Sequence, residues 1–146
     1  MFILYCLLAA AVFMDFYRDR IPNWLIAAGY LAGIGYSLSG GGLWFIFVLD
    51  SVAILILLYP FFLAGAFGGG DVKLLSAAAL FLGAEETVNV ILSALMVGAV
   101  CSVVKIIFLL CRKEKISLSH LYIHFSLPIL AGTILTHLGG ITWITF

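Results

Sequence analysis

The stretch GGGDVKLLSAAALFLG, residues 68–83, decides how the rest of the chain is interpreted. It places three glycines and an ionisable carboxyl group, Asp71, directly before a short apolar run that is rich in alanine. A carboxylic acid at membrane depth is costly to keep, so it is treated as a functional candidate by default. The next question is whether a second acid in the chain can meet Asp71.

The composition predicts a membrane protein. Of the 146 residues, 65% are hydrophobic and only 10% are charged, which is more apolar surface than a soluble domain of this size can bury. Polar breaks divide residues 1–146 into six apolar segments, which predict a single all-α integral-membrane domain, a bundle of six transmembrane helices. The segments are Met1–Met14, Trp24–Ser39, Leu43–Phe67, Val72–Ala84, Thr87–Cys111 and roughly Ser119–Phe146.

The basic residues predict how the chain is oriented. With six spans, alternate loops fall on one side of the membrane, and every Lys and Arg collects there: Arg18, Arg20, Lys73, Lys105, Arg112, Lys113 and Lys115. The positive-inside rule makes this side cytoplasmic, so both termini face outward. The formal net charge is zero, which gives no reason to expect nucleic acid as a partner.

Two segments are short, and each has an aspartate at its cytoplasmic end. The first offers 14 residues before Asp15, and the fourth offers 13 residues between Asp71 and Glu85. At about 1.5 Å per residue each covers about 20 Å of a hydrocarbon core that is about 30 Å thick. Local thinning of the bilayer could relieve the mismatch, but both segments would have to share it. The lengths predict that Asp15 and Asp71 lie recessed at similar depth.

Such a pair of acids suits peptide hydrolysis. Two carboxyl groups that share a site cannot both ionise readily, so the pair holds a single proton near neutral pH. The ionised acid can take a proton from water while the protonated acid polarises a carbonyl group, as in aspartic proteases. The glycines before Asp71 support this interpretation, because irregular backbone at membrane depth is buried in protein or lines a cavity, and because glycines let an extended substrate approach.

Three stretches resemble the prepilin peptidases, membrane aspartic proteases with a GxGD motif that process type IV pilin-like precursors. DFYRDRIPNWL, residues 15–25, is similar to the first motif of the family, in which an aspartate is followed by a basic stretch and, seven residues on, by Pro22. HFSLPILAG, residues 124–132, resembles a proline-containing stretch of the last segment. GGGDVKLLSAAALFLG is similar to the second motif at Gly68, Gly70, Asp71, Lys73 and Leu74.

The resemblance implies an aspartic endopeptidase whose catalytic pair is Asp15 and Asp71. Five further residues would support the motifs: Gly68, Gly70, Lys73, Pro22 and Asn23. The implied substrate is a prepilin with a short basic leader that ends in glycine ahead of a hydrophobic helix, cleaved at the cytoplasmic face of a prokaryotic inner membrane. Membrane lipid and the pilus or secretion assembly machinery are further expected partners, and no cofactor or metal is expected.

The chain departs from the larger family members in two respects. Those members carry a cytoplasmic insertion with cysteine pairs and methylate the new amino terminus, whereas this chain looks like the minimal members of tight-adherence (Flp-type) pilus systems, so methylation is not expected. His124 stands where family members often have proline. Cys6, Cys101 and Cys111 form no CxxC pair, and we expect buried free thiols.

Simpler interpretations of both acids remain open. Asp71 could satisfy free N–H groups at a helix N-terminus, and Asp15 could be a helix-end acid paired with Arg18 or Arg20 in an interfacial loop. A transport or binding protein could use the same two acids to relay protons or hold a cation. A transporter is expected to show internal repeats or acids spread through the membrane depth, and no repeat is evident.

Other polar and small residues receive structural interpretations. Asp50 lies in the outer part of the third segment, on the side opposite the acid pair, where interfacial exposure or a hydrogen bond is expected. The three histidines, His120, His124 and His137, are expected to be neutral interfacial residues. Two GxxxG pairs, at Gly29 and Gly33 and at Gly65 and Gly69, predict close helix packing within the monomer or between monomers.

Overall fold

The computed structural model describes residues 2–18, 20–39, 44–65, 67–111, 125–137, 139–140 and 143–144. Within these residues the chain forms six α-helices and no strands, so the predicted all-α class is confirmed. The helices are α1 Phe2–Arg18, α2 Asn23–Ser39, α3 Trp44–Leu63, α4 Gly69–Leu82, α5 Ala84–Cys111 and α6 Ser126–His137.

Helix α4 is the most deeply buried element. All its residues from Leu74 to Phe81 are buried, and it packs against α2, α3 and α5. Small side chains at Ser76 and at 77–79 let neighbouring helices approach closely. With 14 residues, α4 is about 21 Å long, as short as its apolar segment predicts.

Two helices among the described residues are long and apolar enough to cross a membrane: Trp44–Leu63 and Ala84–Phe108. Only 17% and 28% of these stretches is buried, respectively, so their large apolar side chains form much of the outer surface. An apolar exterior of this kind suits contact with lipid. The structure therefore suggests a membrane protein, and the crossing by all six helices stays a prediction.

The first and last helices end elsewhere than the apolar segments suggest. The first segment was expected to stop at Met14, but α1 continues to Arg18 and includes Asp15. The last was expected to run to Phe146, but α6 ends at His137. Phe16 and Tyr17 extend the apolar run of α1, so the acid does not end the helix.

Beyond α6, a polar side chain on α5 holds the backbone in a non-helical conformation. Asn89 Oδ1 accepts hydrogen bonds from the N–H groups of Trp143 and Ile144, both at 2.9 Å. Gly140 adopts a left-handed φ of 61°, a conformation that glycine reaches without strain. These hydrogen bonds tie residues 143 and 144 to α5, at positions where the composition predicts that the last apolar segment continues.

The third segment also breaks earlier than predicted. Helix α3 ends at Leu63 instead of continuing to Phe67, and Gly65 forms a turn with a φ of 74°. Gly65 and Gly69 therefore lie on different sides of a turn, and their interpretation as a helical GxxxG pair is wrong. Cys6 is exposed and Cys101 is only partly buried, which corrects the expectation that these two thiols are buried.

The other glycine pair packs inside the monomer. A Cβ atom at Gly29 would lie 2.9 Å from Cδ2 of Leu7 on α1, and one at Gly33 would lie 2.6 Å from Cβ of Leu80 on α4. The two glycines of α2 thus contact two different helices. This geometry uses the GxxxG spacing for intramolecular packing.

A buried polar cluster centred on α4 joins three helices. Ser76 shares a hydrogen bond with the Tyr30 hydroxyl of α2. The Ser51 hydroxyl of α3 donates to the Ser76 carbonyl oxygen at 2.7 Å, and the Ser76 hydroxyl donates to the Lys73 carbonyl oxygen at 3.2 Å. Buried polar groups are costly unless they are hydrogen-bonded, so these bonds fix the position of α4 relative to its neighbours.

Gly33→Ala is expected to lower the free energy of unfolding by about 1–3 kcal/mol, because the new methyl group would overlap the rigid base of Leu80. Gly35→Ala, on the same helix, meets nothing within 4 Å and is the matched control. It is expected to be neutral or to stabilise by up to about 1 kcal/mol through helix propensity. Unfolding of both variants by a denaturing detergent measures the difference, and equal stability would contradict the packing of α2 on α4.

Candidate active site

Asp15 and Asp71 line the same cavity, which has a volume of about 160 Å³. Asp15 comes from the last turn of α1, and Asp71 comes from the first turn of α4. The remaining lining residues are Arg20 and Ile21, from the link between α1 and α2, and Gly68–Gly70. The structure thus brings the two acids that the sequence singles out to one opening between helix ends.

Asp15 is buried, with 5% of its surface exposed. The hydroxyl of Ser126, the first residue of α6, donates a hydrogen bond to Asp15 Oδ2 at 2.6 Å. Aspartate is seldom this deeply buried without a partner, because an unsatisfied carboxyl group in an apolar interior is costly. Its surroundings place Asp15 inside the helix bundle and not in an exposed loop.

Asp71 is partly exposed at the third position of α4. Gly68 precedes the helix in an extended conformation, and its carbonyl oxygen accepts the Val72 N–H at 3.2 Å. An acid in the first turn interacts favourably with the positive end of the helix dipole. This stabilising role is compatible with a chemical role, because the same residue faces the cavity that Asp15 lines.

Two glycines make close approaches at the cavity. A Cβ atom at Gly68 would lie 2.8 Å from Asp71 Oδ2, so the carboxyl group lies back over the loop. A Cβ atom at Gly70 would lie 3.2 Å from Cβ of Ile21. The missing side chains therefore let the carboxyl group and the α1–α2 link come together around α4.

The remaining motif residues lie around the cavity without lining it. Pro22 directly precedes α2, and its carbonyl oxygen accepts the Leu25 N–H at 3.1 Å. Asn23 is the exposed first residue of α2. Lys73 is exposed and borders a separate apolar groove with Tyr59 of α3. Pro22 and Asn23 thus lie at the start of α2, and Lys73 lies near the start of α4, close to the two acids.

Asp50 lies at the other end of α4. A Cβ atom at Gly83, just past the C-terminus of α4, would be 3.5 Å from Asp50 Oδ2. Gly83 lies twelve positions after Asp71, which corresponds to about 18 Å along a helix. Asp50 shares a wide opening with Glu85 and Glu86 and stays apart from the Asp15 cavity.

Among the described residues, the histidines form no metal site. His137 ends α6, where its ring packs edge-on to Tyr5 with centroids 6.1 Å apart. His120 and His124 lie outside the described residues, as do Arg112, Lys113 and Lys115. Among the residues that the structure describes, no group of three or more His, Cys, Asp or Glu side chains could hold a metal ion.

Three residues at the site were not recognised as site residues from the sequence: Arg20, Ile21 and Ser126. Arg20 entered as a charge that orients the chain and as a possible ion-pair partner of Asp15 in an interfacial loop. The available signal for Ser126 was a hydroxyl residue in the apolar stretch 124–132, which resembled the family through its proline. The sequence offered no indication that this hydroxyl group contacts Asp15, because the two residues are 111 positions apart.

The described chain is all-helical and largely apolar, and two of its carboxyl groups line one cavity. These are the features of a membrane protein with a paired-acid site. A family model described as the type IV leader peptidase family matches residues 2–103, more than two thirds of the chain. The chain belongs to this family, which confirms the resemblance to prepilin peptidases. No curated protein and no solved structure gave a match.

Family membership implies a protease with type IV leader peptidase activity and a prepilin as its substrate. The matched range includes Asp15 and Asp71 and ends within α5. Helix α6 and its Ser126 lie beyond the matched range.

Gly68→Ala is expected to lower kcat/KM for peptide cleavage about ten- to hundredfold, because the methyl group would displace the Asp71 carboxyl group. Stability is expected to change by less than about 1 kcal/mol, since a carboxyl oxygen can rotate away and the backbone of Gly68 suits alanine. Cleavage and unfolding assays on one preparation, with Gly35→Ala beside it, separate the two effects. Wild-type activity in Gly68→Ala would contradict the need for this close approach.

Proposed function

We propose that this protein is a membrane-embedded aspartic endopeptidase that removes the short basic leader of Flp-type prepilins at the cytoplasmic face of the inner membrane. One observation carries the proposal: Asp15 and Asp71 line a single cavity in a chain of the type IV leader peptidase family. The two acids form the catalytic pair in this proposal.

The chemistry is general acid–base hydrolysis by the two carboxyl groups. The ionised member takes a proton from water as the water oxygen attacks the carbonyl carbon of the last leader residue, and the protonated member gives its proton to the carbonyl oxygen. Collapse of the tetrahedral intermediate breaks the C–N bond. The leaving nitrogen receives a proton from one acid, while the other recovers the proton of the hydroxyl group. One water is consumed, and the pair again holds one proton.

The size of the cavity supports a substrate with little side-chain bulk at the cleaved bond. Its volume of about 160 Å³ is well below the roughly 300–1,000 Å³ of typical ligand pockets. Three glycines, Gly68–Gly70, form one side, where main chain can approach main chain. A leader that ends in glycine would present such a segment of backbone.

The proposed membrane arrangement matches the position of the bond to be cleaved. In it, all six helices cross the bilayer, both termini face outward and residues 1–146 form one peptidase domain. Helix α4 is about 21 Å long in a hydrocarbon core of about 30 Å, which leaves Asp71 recessed on the cytoplasmic side. A prepilin changes from basic leader to apolar helix at this depth. Lipid and pilus assembly proteins are its proposed neighbours there.

Asp15→Asn and Asp71→Asn are each expected to reduce cleavage to below roughly 1% of wild type, because general acid–base catalysis of this kind contributes about 10²–10⁴-fold. Asparagine keeps the shape of aspartate and can still accept the Ser126 hydrogen bond, so both variants are expected to fold. Co-expression with an Flp-type prepilin, followed by gel shift and N-terminal sequencing of the product, measures leader removal.

Asp50→Asn is the matched control, since Asp50 lies near Gly83 at the far end of α4. It is expected to cleave like wild type. Equal loss in all three variants would indicate general instability. Full cleavage by Asp15→Asn and Asp71→Asn would overturn the paired-acid mechanism, and proton or cation movement would then be measured in proteoliposomes.

A further inference from the structure

The hydrogen bond between Ser126 and Asp15 joins the N-terminus of α6 to the C-terminal turn of α1. Both residues are buried: Ser126 is 0% exposed and Asp15 is 5% exposed. The separation between Ser126 Oγ and Asp15 Oδ2 is 2.6 Å, within the range of a direct O–H···O hydrogen bond. Asp15 is therefore held from outside its own helix.

Two other buried hydroxyl groups, those of Thr87 on α5 and Thr133 on α6, bond within their own part of the chain. Thr87 donates to the Gly83 carbonyl oxygen at 2.6 Å, and Thr133 donates to the Ile129 carbonyl oxygen at 2.8 Å, each four residues back on the chain. Such bonds are the usual way for Ser and Thr to satisfy themselves in apolar helices. Ser126 instead donates across the bundle to Asp15.

The neighbouring aromatic residues fix where this hydroxyl group lies. Phe125, just before Ser126, packs edge-on against Phe67, with ring centroids 5.0 Å apart and planes at 72°. Phe67 directly precedes Gly68, which begins the loop that carries Asp71. The start of α6 is thus packed against the Asp71 loop while its hydroxyl group contacts Asp15, so one segment relates the two acids in space.

We propose that Ser126 is a positioning residue, which orients the Asp15 carboxyl group for catalysis. This inference rests on the proposed function. The χ2 torsion of aspartate is broad and imposes little orientation by itself, and Asp15 lies in the last turn of its helix. A bond to Oδ2 holds the plane of the carboxyl group. Catalytic geometry is sensitive to displacements of about 1 Å, so loss of this bond slows the chemical step while substrate binding is retained.

The test compares purified full-length variants on a prepilin with a basic leader that ends in glycine. Ser126→Ala removes the donor and is expected to lower kcat about tenfold or more, with KM changed by less than about twofold. Ser126→Cys keeps a side chain with a weaker donor, so its kcat is expected to lie between those of Ser126→Ala and wild type. Thr133→Val, which removes a buried hydroxyl group from the same helix, is the matched control and is expected to keep wild-type kcat.

The outcomes separate this inference from the proposed function. Loss of activity in Asp15→Asn and Asp71→Asn together with wild-type kcat in Ser126→Ala would overturn the positioning role alone. An equal loss of kcat in Thr133→Val would also overturn it, because general loosening of α6 would explain the effect. If Ser126→Ala fails to fold, wild-type kcat in Ser126→Cys has the same consequence. Absence of cleavage by wild type would overturn both proposals.

Discussion

The cost of holding a carboxyl group inside an apolar helix bundle governs the organisation of this protein. An unsatisfied polar group in such an interior costs several kcal/mol, so the buried Asp15 requires hydrogen-bonding partners. Ser126 of α6 is one of them, and for this bond to form the end of α1 and the beginning of α6 must meet. The loop before α4 packs against Phe125 at the start of α6, so the ends of α1, α4 and α6 lie close together beside the cavity that the two acids line.

The helix ends can meet because small residues along α2, α4 and α6 let the helices pack closely. Gly33 lets α4 approach α2, and a Cβ atom at Gly132 would lie 2.8 Å from the Ala94 backbone nitrogen, so α6 packs directly on the backbone of α5. In lipid there is little hydrophobic drive between helices, and such close contacts together with buried hydrogen bonds supply the association energy. The Tyr30, Ser51 and Ser76 cluster adds the polar part. The same packing that stabilises the bundle holds the two acids in place.

The family match and the cavity contribute different parts of the functional argument. The match spans residues 2–103 and establishes a leader peptidase, with Asp15 and Asp71 inside the matched range. The cavity shows that the two acids lie at one opening, with Gly68–Gly70 along one side of it. Helix α6 follows the matched range and contributes the hydroxyl group that contacts Asp15. The proposed chemistry thus draws on residues from both ends of the chain, and the positioning role falls in the part that the family model does not cover.

The sequence by itself determined the all-α class, the family, and the two aspartates as candidates, because apolar runs and short motifs are local features of the chain. It predicted the shortness of α4 for the same reason, but misplaced the end of α1, which runs past Asp15, and the end of α6, which stops at His137. Only the tertiary structure decided that Ser126, Arg20 and Ile21 belong to the site. Contacts such as the one between Ser126 and Asp15 span 111 positions, and they arise from helix packing that no local pattern of residues encodes.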